Sequence, residues 1–298
     1  MAAPDPPPPE QLHARVLAWY AAHRRDLPWR AAGVSPWAVL VSEVMLQQTP
    51  VARVAPAWHA WLARWPTPAA TAAARPADLL RQWDRLGYPR RALRLQASAR
   101  AVVERHGGAV PATEADLLAL PGVGPYTASA VAAFAFGRRT VVLDTNVRRV
   151  LARAVAGEAL PPPHLRREER VRAEAVLPAD AAVAARWGGA VMELGALVCT
   201  ARAPRCATCP IEDACAWRRA GGPADVHAAR RRPQPWEGTD RQARGRVMAA
   251  LRARGGAVSG AELAATWPDA AQRERAVASL VADGLVETVG GRFRLPHG

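Results

Sequence analysis

Four groups of residues in this chain have the types and spacing to do chemistry. The first is a set of four cysteines, Cys199, Cys206, Cys209 and Cys215, spaced C-x6-C-x2-C-x5-C. Four thiolates so close in sequence can enclose one soft metal centre. Structural zinc sites usually show two C-x-x-C knuckles, and only one is present here. The second is a lone carboxylate, Glu43, in a run that is apolar almost all round (Trp37, Val39, Leu40, Val41, Val44, Met45, Leu46) and that Ser35 and Pro36 open. A helix of that kind is buried. Burial favours the neutral acid, so Glu43 is a candidate proton donor at neutral pH; an ion pair with Arg30 or Arg53 is the plainer alternative. The third is Leu120-Pro121-Gly122-Val123-Gly124-Pro125-Tyr126-Thr127-Ala128, which joins two helical stretches through Gly-x-Gly. Gly122 and Gly124 let the backbone approach a ligand, and the N–H groups opening the second helix make a phosphate site. An ordinary helix–turn–helix connection is the bland reading. The fourth is Asp144, in Val142-Leu143-Asp144-Thr145-Asn146-Val147, a position that by itself reads as a helix N-cap.

The elements that must position these groups are helices. Apolar periodicity between residues 11 and 230 fits Leu12–Ala22, Pro36–Gln48, Ala55–Trp65, Ala77–Leu86, Ala92–Val103, Glu114–Leu120, Tyr126–Phe136, Val147–Val155, Glu168–Leu177 and Ala181–Leu197. Thr113 with Asp116 caps the first helix of the Gly-x-Gly connection, and Pro125 suits the opening of the second. Convincing strand alternation is absent there. Beyond a basic, proline-bearing stretch, the pattern changes to helices at Arg241–Arg254, after Ser259 and at Ala270–Asp283, then Leu285–Thr288, a Gly290-Gly291 turn and Arg292–Leu295. Three short helices and a Gly-Gly hairpin predict a small winged-helix-like α+β domain. The expected organisation is a disordered Pro-rich tail at 1–10, a core at 11–229 with the cysteine loop at 199–215, a linker at 230–240 and the small domain at 241–298.

Composition narrows the partner. Of 298 residues, 40 are basic and 26 acidic, a formal charge of +14, and every basic residue is arginine because the chain has no lysine. A GC-rich coding bias explains the missing lysine but not the surplus charge, which points to a polyanion. No apolar run reaches the ~18 residues of a membrane span, and the first ten residues lack the basic-then-apolar pattern of a secretory leader. Clustered rather than dispersed cysteines suit a reducing compartment. A membrane protein, a disulfide-stapled secreted scaffold and a disordered chain are thereby disfavoured.

The longer pattern LPGVGxxTA resembles the helix-hairpin-helix of the base-excision DNA glycosylases related to endonuclease III. The resemblance covers about residues 11–220 and implies a mainly α fold, a six-helix barrel plus an iron–sulfur cluster domain. It places that superfamily's catalytic aspartate at Asp144 and matches Cys199, Cys206, Cys209 and Cys215 to its 4Fe–4S loop. Asn146, the only asparagine in the chain, falls where the adenine-specific branch has an active-site asparagine. Bifunctional members carry a lysine nucleophile in the hairpin, where this chain reads Pro125-Tyr126-Thr127. Without lysine a side-chain Schiff base is impossible, so the expectation is a monofunctional enzyme that uses water. Ser42-Glu43-Val44-Met45-Leu46-Gln47-Gln48-Thr49 resembles the signature of the adenine DNA glycosylase family and aligns Glu43 with its catalytic glutamate. Leu27-Pro28-Trp29-Arg30 matches a family segment of the adenine pocket, to which Leu27, Trp29 and Arg30 would belong. Met192-Glu193-Leu194-Gly195-Ala196 matches another segment, which contributes Glu193. Gln48, and Tyr88 of Leu86-Gly87-Tyr88, match residues that wedge into the duplex beside the mismatch, while Tyr126 and Asn146 would orient the reacting groups.

The resemblance thus implies a monomeric, cytoplasmic, nucleoid-associated enzyme that binds mismatched double-stranded DNA and excises adenine opposite 8-oxoguanine or guanine, with a 4Fe–4S cofactor and no membrane partner. Many family members end in a Nudix-like domain; Arg241–Pro296 shows no such box. Two rivals are a thymine glycosylase acting on T:G mismatches and a non-enzymatic iron–sulfur DNA-binding regulator. The first is not expected to carry SEVMLQQT, and the second leaves Glu43, Asp144 and the hairpin no reason to coexist.

Overall fold

A computed structural model describes residues 8–230 and 236–297. Residues 1–7 of the expected tail and 231–235 of the expected linker lie outside the described residues. In chain order the helices are α1 (Pro9–His23), α2 (Pro36–Leu46), α3 (Val51–Arg64), α4 (Pro68–Ala73), α5 (Pro76–Trp83), α6 (Arg90–His106), α7 (Glu114–Leu118), α8 (Pro125–Phe136), α9 (Thr145–Ala154), α10 (Arg167–Ala175) and α11 (Ala181–Leu197). They are followed by α12 (Ala216–Arg219), α13 (Asp240–Ala253), α14 (Gly260–Ala264), α15 (Ala270–Ala282) and the strands β1 (Glu287–Val289) and β2 (Arg292–Arg294). The chain is mainly α, with strands confined to this C-terminal pair among the described residues.

Several boundaries move for identifiable reasons. The first helix starts inside the tail expected to be disordered, because Pro9 and Glu10 suit a first turn: proline needs no N–H there, and the acid faces the positive end of the helix. Likewise α13 begins at Asp240, within the expected linker, where the Thr239 hydroxyl accepts from the Gln242 amide. The helix carrying Glu43 stops at Leu46, two residues early, because Gln48 adopts a left-handed backbone with φ 56°. Helix α4 has no counterpart in the periodicity; it is one short, Ala-rich segment set by Thr67, whose hydroxyl accepts from the Ala70 amide.

The chain divides into two compact units. The first comprises residues 1–39, 112–118 and 124–232. Its axis is α11, with α1 and α9 packed on it around Leu12, Val16, Leu151, Trp187, Val191 and Leu194. The second comprises residues 40–111, 119–123 and 233–298. There α3 packs on α5 and α5 on α6, and Trp61 meets Trp65 and Trp83 edge-on at centroid distances of 4.9 and 5.8 Å. Such pairs add about 0.5–1.5 kcal/mol beyond area burial.

The C-terminal helices and strand pair fall in this second unit, together with residues 40–111. Helix α13 packs on α15, Val258 bridges to Phe293, and β1 pairs with β2 in antiparallel register, Thr288 opposite Phe293. Ser259 caps α14 and forms a capping box with Glu262.

Candidate active site and nucleic-acid interface

Glu43 sits in α2 and is 4% exposed, on a helix whose Trp37, Leu40, Val41, Val44 and Met45 are all buried. Both arginines considered as partners have acceptors of their own. Arg30 donates to Glu193, and Arg53 donates to the carbonyl of Arg85. At the end of the same helix Gln48 is exposed on its left-handed turn. Tyr88, 46% exposed with φ 45°, tops a second turn after Leu86 and Gly87. A non-glycine residue in this region costs about 1 kcal/mol or more, so both turns are held rather than merely permitted.

Gln48 and Tyr88 line one groove of about 1300 Å³ in the second unit. Arg85, Arg94, Arg241 and Arg246 share its wall with the exposed Trp236. A guanidinium N–H of Arg241, from α13, donates to the Tyr88 hydroxyl at 3.3 Å, and its Cζ lies 5.4 Å from the Trp236 ring centre. Basic groups interleaved with exposed aromatics suit a phosphodiester strand with an unstacked base.

The hairpin forms as expected. Thr113 caps α7, its hydroxyl accepting from the Asp116 amide at 3.1 Å, and Gly124 is the N-cap of α8 with Pro125 at the first helical position. The Ser129 hydroxyl donates to Glu114 at 2.6 Å and ties α8 to α7. In the connecting turn Gly122 has φ 79°, and a Cβ there would lie 2.7 Å from the Arg94 Cβ, so glycine is required on both counts. Tyr126 packs against the small cluster of Ala130, Ala133 and Val142.

Asp144 lies in the first unit and is the N-cap of α9. One carboxylate oxygen accepts from the Val147 amide at 2.6 Å, and the other accepts from the Asn146 side-chain amide, also at 2.6 Å. Burial pushes its carboxyl above the ordinary aspartate value; those two hydrogen bonds, another from the Asn146 backbone amide and then the charge of Arg149 oppose the rise. Asn146 is oriented in turn by Arg149, whose N–H groups reach the Asn146 carbonyl oxygen at 2.8 Å and the Gly195 and Cys199 carbonyls at 2.7 Å each. A Cβ on Gly195 would sit 2.7 Å from the Asn146 Cβ, so the close approach of α9 to α11 depends on that glycine.

Glu193, also on α11, is fully buried and fully engaged. It accepts from the Arg25 amide at 2.8 Å, from Arg25 Nε at 2.8 Å and Nη2 at 2.9 Å, and from Arg30 Nη2 at 3.0 Å. Burial alone would raise its carboxyl, but the hydrogen bonds from Arg25 and Arg30 outweigh burial and hold it at about 2. Glu193 therefore anchors the Leu27–Arg30 segment as a permanent anion. Leu27 and Trp29 of that segment are both buried, and the Arg30 Cζ lies 5.7 Å from the Tyr20 ring centre.

Arg153 holds the cysteine loop, donating to the Cys199 sulfur at 3.3 Å and to the carbonyls of Thr200 and Ala201. Cys199, Cys206 and Cys209 are half-buried and Cys215 is buried. Burial raises the thiols of Cys206 and Cys215 and pushes Cys209 up to about 12, with the neighbouring cysteines adding to each rise. Among the described residues no group of His, Cys, Asp or Glu side chains converges closely enough to hold a metal ion. The donor chemistry does fit one: four sulfurs within electrostatic reach of one another, each better stabilised as a thiolate by a cation than as a buried thiol.

Arg25, Arg91, Arg149 and Gly195 are the positions that sequence reasoning passed over. The signal that pointed to them was weak: an arginine beside a recognised segment or at helical spacing from a named residue, and a glycine inside a helix.

The hairpin and its helical surroundings define the class. Residues 41–174 match the model of the HhH-GPD superfamily base excision DNA repair proteins. A thermostable thymine-DNA glycosylase structure superposes with a TM-score of 0.64 at 26% identity, covering 71% of this chain and 97% of that one. An endonuclease III–DNA complex shares the fold, with a TM-score of 0.60 at 21% identity over 72% of this chain and 98% of that one. The chain is 54% identical to the adenine DNA glycosylase of Mycobacterium tuberculosis over 94% of its own length and 92% of that protein's. It is 53% identical to the Mycolicibacterium smegmatis enzyme over 94% of each. The chain belongs to the adenine DNA glycosylase family. No described helix is long and apolar enough to cross a membrane.

Proposed function

We propose that this chain hydrolyses the N-glycosidic bond of adenine mispaired with guanine or 8-oxoguanine, as a monomer acting on duplex DNA near the chromosome. Kinship with the mycobacterial enzymes over nearly the whole chain supports the activity. The observation that carries the chemistry is Glu43, the buried carboxyl of an otherwise apolar helix.

A base inside a duplex is out of reach, so the nucleotide is extruded while Gln48 and Tyr88 enter the vacated stack. The α8 amides behind Gly122 and Gly124 hold a phosphate. Glu43 gives its proton to adenine N7, and the C1′–N9 bond breaks with its electron pair leaving on the purine. Positive charge develops on the sugar and Asp144, as the carboxylate, offsets it. A water oxygen adds to C1′, and its proton returns to Glu43, leaving an abasic site and free adenine. Asn146 and Tyr126 orient these groups, while Glu193 fixes the segment of Leu27, Trp29 and Arg30 that shapes the base pocket. Cys199, Cys206, Cys209 and Cys215 would hold a 4Fe–4S cluster, which supplies structural cross-linking of the loop when bound.

The test is a duplex with adenine opposite 8-oxoguanine, incubated with protein and heated in alkali. Scission of the adenine strand by wild type, and its loss in Glu43→Gln with mismatch binding retained, supports the assignment. A thymine-DNA glycosylase from Aeropyrum pernix is 34% identical over 69% of this chain and 93% of its own, which makes T:G the control duplex. Scission of the thymine strand there, without adenine release, overturns the assignment.

A further inference from the structure

Arg91, the second residue of α6, is buried with no carboxylate partner among the described residues. Its Nη1 donates to the carbonyls of Val44 at 2.7 Å, Met45 at 3.1 Å and Gln47 at 2.7 Å. Its Nη2 donates to the Thr49 hydroxyl at 3.1 Å and to the carbonyls of Leu86 at 2.8 Å and Gly87 at 3.0 Å. Thr49 passes the link on, donating to Leu86 O at 2.9 Å. One guanidinium therefore joins three pieces of backbone: the last turn of the Glu43 helix, the turn that displays Gln48 and the turn that displays Tyr88.

A buried cation costs several kcal/mol unless it is solvated from within. Here carbonyl dipoles do that, two of them at the negative end of α2, where a cation is favoured. Burial lowers the Arg91 pKa to about 10, so it stays charged at neutral pH. The same contacts hold the left-handed backbones of Gln48 and Tyr88, whose side chains are exposed along the groove while Arg91 ties the turns that carry them.

We infer that Arg91 is a positioning residue for base extrusion: it fixes Gln48 and Tyr88 as a paired wedge, at a set distance from each other and from the helix that carries Glu43. The inference rests on the reading that Gln48 and Tyr88 enter the duplex. A rigid wedge has already met the ordering cost that flexible turns would meet on each encounter with DNA. Lysine cannot replace this arginine, because an ammonium lacks the planar fork that reaches two groups of acceptors at once.

The experiment compares wild type, Arg91→Lys, Thr49→Val and the double variant Gln48→Ala/Tyr88→Ala. Single-turnover excision is measured on adenine paired opposite 8-oxoguanine and on adenine in an unpaired bulge. Extrusion is followed separately by the fluorescence of 2-aminopurine at the target position. Arg91→Lys is expected to lose about 100-fold on the paired substrate, the scale of an ångström-sized misplacement. It is expected to lose only a few-fold on the bulge, with a blunted fluorescence rise and a circular dichroism spectrum like that of wild type. Thr49→Val, which removes one hydroxyl at constant shape, is expected to show the same pattern at about 10-fold and decides the matter if Arg91→Lys does not fold. Equal losses on paired and bulged adenine, or none on either, overturn the inference. If the double variant extrudes 2-aminopurine normally, the wedge reading fails instead.

Discussion

Two carboxylates of the first unit, Glu193 and Asp144, show how placement separates an anchor from a reactive group. Glu193 is buried deeper, yet four N–H donors from Arg25 and Arg30 hold it as an anion with its carboxyl at about 2. Asp144 has no ion-pair partner among the described residues; its donors are the backbone amides of Val147 and Asn146 and the Asn146 side-chain amide, and burial pushes its carboxyl up. A saturated carboxylate has no electrostatic capacity left for substrate. An under-compensated one does, and a developing cation on the sugar would supply what it lacks.

Replacing each acid by its amide should split activity from stability. Asp144→Asn is expected to cut single-turnover excision about 10³-fold, with a smaller fall in melting temperature than Glu193→Gln, because the one acceptor it loses is offset in part by removing a charge that folding disfavours. An unchanged rate would end the role given to Asp144. Glu193→Gln strands two arginines and is expected to cost about 3 kcal/mol. For 298 residues, at about 2.1 cal/mol/K per residue, that is a fall of roughly 5 °C in the thermal midpoint. A midpoint within 2 °C of wild type, by calorimetry, would show that the pair is not an anchor. Gly195→Ala, which presses a methyl onto Asn146, is expected to lose about 1–3 kcal/mol and about tenfold in rate, since the Asn146–Asp144 bond must shift. A silent Gly195→Ala, unchanged in both midpoint and rate, would refute the clash.

The smallest effect is a pH slope. Glu193 has a folded value of about 2 against an ordinary 4.5, so its stabilisation is present above 4.5 and is lost as pH falls towards 2. Asp144 has the opposite sign: raised in the fold, it contributes stability below its ordinary value that is lost as pH rises through the folded one. Denaturant titrations between pH 2 and 5 should therefore lose up to about 1.4 kcal/mol per pH unit in wild type and less in Glu193→Gln. Parallel curves would contradict the assignment.

Local signals were legible in the sequence and long-range ones were not. Helix α11 runs over Ala181–Leu197 as its periodicity predicts, with the Asp180 side chain accepting from the Val183 amide, and Asp144 caps α9 as its position before a helix requires. Both depend on residues three apart. The hairpin is legible for the same reason. Glu193 meets Arg25 across 168 residues of chain, and no periodicity reports that pairing. Arg91 was harder still: most of its acceptors are main-chain carbonyls, which every residue has, so no pattern of side chains marks the residue that will find them. The end of α2 was misplaced for a related reason, since its early stop follows from the Gln48 turn that this arginine holds.

Arg91, Arg149 and Arg153 share one habit: each is buried with most of its hydrogen bonds going to uncharged oxygens, chiefly peptide carbonyls, and with no carboxylate as a hydrogen-bond acceptor. Peptide oxygens do not titrate, and buried dipoles are poorly screened by ions. The struts under the wedge turns, the Asn146 network and the cysteine loop should therefore hold through acidification and brine that dissolve the exposed Arg–Asp pairs. Geometry there is insulated from the medium, and only the acids that carry charge to the substrate still sense it.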